Sequence, residues 1–173
     1  MGEEYTAIIP VLEEEGINLS TNEGIKQLFR AARSIWLKVK EDFPPLILFE
    51  SRNRTKSFLP VVLNDEYNKI FWFKQVMERF YPQLVGIIGL GTINVKNIPQ
   101  EMQEIIEDKS KETVDIIQFY LVNLLNRQVI TYNQIVQDKP KIFFSPVFKV
   151  RIPSSSIPKE IKKEFEKRNI GVI

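Results

Sequence analysis

Val114-Asp-Ile-Ile-Gln-Phe-Tyr-Leu-Val-Asn-Leu-Leu125 admits two readings, and the fold turns on which one holds. As a helix it continues from Pro99, because Met102, Ile105, Ile106, Thr113, Ile117, Tyr120, Leu121 and Leu124 keep helical spacing. As a strand it becomes the centre of a sheet, and its β-branched and aromatic content favours that state. Downstream, Gln128 to Val136 alternates between apolar and polar residues, Asp138-Lys-Pro140 signals a turn, and Lys141 to Val150 reads as a strand. Pro146 assigns that strand to an edge or a bulge, because proline has no N–H to give to a ladder.

Upstream, Leu46 to Glu50 and Phe58 to Leu63 are short apolar runs joined by Ser51-Arg-Asn-Arg-Thr-Lys-Ser57, which fits an antiparallel hairpin. Before them, Ser20 and Glu23 have capping-box spacing. Ile25, Leu28, Phe29, Ala32, Ile35, Trp36, Val39 and Phe43 then form one apolar stripe that Pro44 and Pro45 stop. Asn64 or Asp65 can cap a helix to about Phe80, and Tyr5, Ile8, Ile9 and Leu12 suit a short helix in an acidic segment, 1–19. Glu101 to Lys111 is polar and suits a helical turn or two. A basic helix closes the chain at about 158–169, with Ile161 and Phe165 inward and Gly171 beyond its end. The order α-α-β-β-α-β-(α)-β-β-β predicts a single α+β domain over 1–173, with a largely antiparallel sheet of about five to six short strands packed against two or three amphipathic helices.

Val85-Gly-Ile-Ile-Gly-Leu-Gly-Thr-Ile-Asn94 resembles the phosphate-cradling turn of dinucleotide enzymes, so each glycine has to be tested for its task. Gly89 and Gly91 fill the first two places of G-x-G-x-x-G, but Asn94 stands in the third. The anion would need a helix starting inside the motif, whereas Val95-Lys-Asn-Ile-Pro99 delays any helix to about Pro99. The expectation is a buried strand from Leu84 to Val95, glycine marking close approach of a backbone or a large side chain, and no cofactor.

The 173 residues contain no cysteine and no histidine. Disulfides, thiolate nucleophiles, imidazole ligands and Ser-His-Asp chemistry are therefore closed to this chain. Catalysis would have to rest on carboxylates, lysine, tyrosine or a hard metal such as magnesium. With 43% hydrophobic and 27% charged residues the composition is that of an ordinary globular protein. Abundant Ile, Lys and Glu resemble thermophile usage. The uncharged run Tyr81–Val95 holds a proline, three glycines and Asn94, too short and too polar to span a bilayer. Met-Gly-Glu-Glu at the start lacks the features of a signal peptide, so the expected compartment is the cytoplasm and no membrane contact is expected.

Net charge is only +2, but it is unevenly placed. Residues 1–25 carry six acids and no base, and residues 139–173 carry nine bases against three acids. Arg52, Arg54 and Lys56, in the hairpin loop, are candidate phosphate contacts, and Lys162, Lys163, Lys167 and Arg168, near the end of the chain, are candidate nucleic-acid contacts. Both groups also read as solvated faces. Glu50 with Asp65 and Glu66 could hold magnesium if the hairpin brings them together, although neither Glu50 nor Glu66 has a lysine two residues on. The helix after Asp65 carries more aromatics than one face can bury, so either it is buried on two sides or it presents aromatics to a partner, with Trp72, Phe73 and Tyr81 as the candidate contacts. These features favour a non-catalytic, self-associating or protein-binding module over its rival, a magnesium-dependent nucleic-acid-processing enzyme or a nucleic-acid binder.

Overall fold

A computed structural model describes residues 18–43, 45–50, 56–60, 66–106 and 110–170, with side chains for all of these except 56–60, 66–68, 169 and 170. The expected first helix, Arg52 and Arg54, the Asn64 or Asp65 cap and Gly171 lie outside the described residues.

Helix α1, Asn22–Val39, starts one residue later than the Ser20 box predicts. Thr21 is its N-cap, and the Thr21 hydroxyl accepts the Gly24 N–H at 3.0 Å. Ser20 is occupied elsewhere: its N–H and its hydroxyl both donate to Asn18 Oδ1, at 2.9 and 2.6 Å. The Asn18 turn therefore claims Ser20 and passes the capping role to the next hydroxyl. After Val39 the chain tightens into a 3-10 turn, Lys40–Asp42, so Phe43 reaches the core from outside the helix.

The hairpin pairs β1, Leu46–Glu50, with β2, Lys56–Pro60, in a register that sets Glu50 opposite Lys56. The second strand thus begins two residues before the predicted Phe58. Helix α2, Glu66–Phe80, leads to β3, Leu84–Asn94; a 3-10 turn, Val95–Asn97, and the single-turn α3, Gln100–Gln103, follow. Val114–Leu125 resolves as strand: β4 runs Thr113–Asn123 and β5 runs Gln128–Gln137. The predicted strand Lys141–Val150 divides into β6, Phe143–Phe144, and β7, Phe148–Arg151, both paired with β5. Three residues, Ser145 to Val147, lie opposite two, Gln134 and Ile135, which is a bulge at Pro146. It is pinned by Ser145, whose N–H donates to the Ile135 carbonyl at 3.0 Å and whose hydroxyl accepts the Ile135 N–H at 2.9 Å. The last element is α4, Lys159–Ile170.

The sheet order is β2-β1-β3-β4-β5-β6, with β7 sharing the β5 edge beside β6, and every pairing is antiparallel. The domain is therefore α+β, as expected, although its central strands β3, β4 and β5 span 11, 11 and 10 residues rather than being short. Helix α1 covers one face, where Leu28, Phe29 and Trp36 meet Leu48, Ile88, Ile117 and Phe119. Tyr132 is partly buried against this core, and burial raises its phenol above the usual 10.0. Helices α2 and α4 cover the opposite face, where Phe73, Met77, Ile161 and Phe165 meet Phe49, Val85, Tyr120 and Val122. A smaller cluster, Ile98, Ile106, Ile116, Ile135 and Phe148, closes one end. Between β4 and β5, the Gln118 side chain donates to Oδ1 of its fully buried cross-strand partner Asn133 at 3.0 Å. A one-residue slip would take the Gln118 donor away from buried Asn133 Oδ1, so the pair helps fix the register.

Candidate interaction surfaces

Strand β1 accompanies β3 only from Leu84 to Ile88. Beyond it comes Pro45, whose Cβ lies 3.7 Å from the point where a Gly89 side chain would begin. Proline has no N–H to extend the ladder. From Leu90 to Asn94, β3 consequently has β4 on one side and, among the described residues, no strand on the other. The Val95 N–H donates to the Glu112 carbonyl at 2.9 Å, which fixes the alternation. Gly91 and Ile93 bond towards β4, whereas Leu90 and Thr92 direct their N–H and C=O groups to the open edge.

Edge strands are usually blunted by charge, proline or a bulge. No charged residue stands between Arg79 and Lys96, and Leu90 is 38% exposed beside exposed Gly91 and Thr92. The stretch that resembles a phosphate loop is thus a strand antiparallel to both its neighbours, with no helix starting among its glycines. The expectation that it is buried holds only for its first half, Leu84–Ile88.

The aromatic surplus of α2 is divided between core and surface. Phe73 is 0% exposed and lies 5.7 Å from Tyr120, ring to ring, so it belongs to the interior and not to a partner surface. The helix is flanked by the sheet and by α4, which is the two-sided burial that the sequence allowed as one of its alternatives. Trp72 is half-buried, with its ring edge-on to exposed Phe71. Tyr81, 54% exposed, follows the helix at φ 48° and lies beneath a guanidinium, with Arg168 Cζ 3.8 Å from its ring centroid.

Arg168 is correspondingly committed. Its Nε donates to Glu164 Oε1 at 3.1 Å, its Nη1 donates to the Pro82 carbonyl, and both members of the ion pair are largely buried. It clamps α4 to the turn after α2, with two of its three nitrogens engaged in that contact and Nη2 buried. Lys163 and Lys167 are exposed and line a depression of about 270 Å³ with Lys74, Glu78, Glu160 and Glu164. Lys162 lines a different surface, a depression of about 560 Å³ that Arg127, Arg151 and Glu166 also line. Neither arginine stood among the expected contacts. They lie 24 residues apart in sequence, one in the β4–β5 turn and one at the end of β7, so no local pattern joins them.

Lys56 opens β2 opposite Glu50, and its side chain is not among those described. Glu50 itself is buried, with Oε2 unpartnered. Asp65 and the Glu66 side chain lie outside the described residues, and among the described residues no group of three acids is gathered to hold a metal. No helix among the described residues is long and apolar enough to cross a membrane. Among known proteins, no family model matches this chain and no curated relative is found.

Proposed function

We propose that this protein is a non-catalytic interaction module that pairs through the open edge Leu90–Asn94, and that its partner there is a second copy of the same chain. The supporting observation is the unguarded edge: outward N–H and C=O groups on Leu90 and Thr92, an exposed Leu90, and no charge between Arg79 and Lys96. Antiparallel pairing of two such edges about Thr92 is self-complementary, as a two-fold dimer requires, and brings no like charges together. The acidic beginning and basic end of the chain offer further contacts between copies. Exposed ion pairs are worth at most about 1 kcal/mol each, so they would tune association and not create it.

Light scattering across a wide range of protein concentrations tests the proposal, with Thr92→Pro and Leu90→Lys as variants. Thr92→Pro removes an outward donor while sparing the bonds from Gly91 and Ile93 to β4, and Leu90→Lys adds the missing guard. A wild-type dimer and two folded monomeric variants are expected. A monomeric wild type whose Leu90 and Thr92 amides exchange slowly would overturn the proposal, because the edge would then be covered from within the chain. A dimer unaffected by both variants would overturn it as well. The rival enzyme reading is tested by incubation with DNA and RNA plus magnesium; cleavage abolished by Glu50→Gln would displace the non-catalytic one.

A further inference from the structure

Helix α1 turns outward a row of cations that the open edge of β3 does not use. Ile25, Leu28, Phe29, Ala32, Ile35 and Trp36 bury one side of the helix. Lys26, Arg30, Arg33 and Leu37 fall away from that side, within about 60° of one another at 3.6 residues per turn. Lys38 extends the row, which covers roughly 18 Å at 1.5 Å per residue. Lys26, Arg30 and Lys38 are exposed, and among the described residues none of the three forms an ion pair. Arg33 is half-buried with Cζ 5.6 Å from the Phe144 ring centroid, a contact that fixes its position without neutralising it. The helix thus carries four bases against one acid, Glu23, a net +3 that exceeds the +2 of the whole chain.

Such a row opposes the helix that bears it. Lys26 and Arg30 stand four residues apart, and Arg30 and Arg33 three, spacings at which like charges destabilise and opposite charges stabilise. Helix α4 has the other arrangement, with Glu164 and Arg168 four apart and joined at 3.1 Å. A local conflict left uncompensated on one face is a mark of function. The composition of the face narrows what it binds. Leu37 is the only large apolar residue exposed on α1, so the face lacks the apolar anchors on which a protein interface or a membrane contact relies. The aromatics of the helix, Phe29 and Trp36, are buried and offer no ring on which an unpaired base could stack. A duplex backbone needs neither, because lysine, arginine and small polar groups make its phosphate contacts. A helix also fits the wide major groove of B-form DNA, whereas that of A-form RNA is too narrow. We infer that the outward face of α1 binds the phosphate backbone of double-stranded DNA through Lys26, Arg30, Arg33 and Lys38, an activity beyond the pairing of β3 and independent of it.

Fluorescence anisotropy of a labelled DNA duplex, titrated with the full chain across a series of salt concentrations, tests the inference. Four phosphate contacts predict a slope of log K against log salt of about −3.6. Arg30→Gln and Lys26→Gln should each make that slope shallower by about 0.9 and weaken binding about thirtyfold in about 20 mM salt. Arg30→Lys should keep the slope, because it is set by the charge. Lys163→Gln combined with Lys167→Gln, a change of charge on α4, should alter neither quantity. No binding in low salt would overturn the inference, as would α4 variants that weaken binding as much as the α1 variants do. Duplex RNA bound as tightly as DNA would overturn the assignment to DNA, and tighter binding of polyglutamate or of anionic vesicles would replace it with an acidic protein or a membrane surface. The α1 variants should leave the oligomeric mass unchanged, so failure here and failure of edge pairing are read separately.

Discussion

Strand β3 has two halves that look alike in sequence and differ in every physical respect. Leu84–Ile88 lies between β1 and β4, under helices on both faces, and all five residues are buried. Leu90–Asn94 keeps β4 but loses β1, and its first three residues are exposed. Each half is uncharged and contains leucine, isoleucine and glycine, the second adding Thr92 and Asn94. In the first, Gly86 is indispensable as space: a Cβ there would fall 2.4 Å from a Phe119 ring carbon and 2.9 Å from the Tyr120 carbonyl oxygen. In the second, a Cβ on Gly91 would meet nothing closer than Ile116 Cγ1 at 3.9 Å. Leucine, glycine and isoleucine therefore fill a core in one place and, among the described residues, form an edge without a partner strand in the other, and the cause is how far β1 reaches along β3.

The sharpest way to break this contrast is truncation of neighbouring apolar residues. Ile88→Ala, at a site with 0% exposure, should cost about 2–5 kcal/mol in denaturant unfolding, as fully buried aliphatic truncations do. Leu90→Ala should cost less than about 1 kcal/mol, since much of its surface is already in water. Equal losses at the two sites would show that Leu90 is covered. A smaller but more specific contrast comes from the glycines. Gly86→Ala should destabilise by about 1–3 kcal/mol, because the Phe119 ring must move while the Tyr120 backbone cannot. Gly91→Ala should stay within about 0.5 kcal/mol, as substitutions clear of packing usually do. The finest test is amide exchange in a sample dilute enough to be monomeric. Gly91 and Ile93, bonded to β4, should be protected, whereas Leu90 and Thr92 should exchange quickly and slow down as concentration rises.

Much of the fold was legible because its signals are local. The stripe from Ile25 to Trp36 needed only helical spacing, and the hairpin at Leu46 needed two apolar runs and a polar connection. Pro146 announced its bulge because a missing N–H cannot be supplied by context. The capping residue was misplaced by one, since Ser20 and Thr21 carry the same chemistry and only the Asn18 turn distinguishes them. Little of the interaction surfaces was legible. Phe73 and Tyr81 read alike as surplus aromatics, yet α4 and the sheet enclose the first while the second lies under Arg168. Arg168 and Lys162 read alike as terminal bases, yet one is spent on Glu164 and the other lines a depression.

By itself the sequence determined the chemistry open to this protein and the periodicity of its clearest elements. Absent cysteine and histidine are absent in any fold, and an i, i+3, i+4 stripe is a property of a few consecutive residues. Tertiary structure decided the rest, starting with Val114–Leu125. A strand buried on both faces loses the alternation that would identify it, so Ile117, Tyr120, Leu121 and Leu124 also fitted helical spacing, and composition only favoured the strand that β3 and β5 complete by taking up its backbone groups. The same holds for the open edge and the depression beside α4. Among the described residues the first arises because β1 accompanies β3 no further than Ile88, and the second because residues 127, 151 and 162 line one depression. Contacts of that range depend on where the chain returns, and no window of neighbouring residues contains that information.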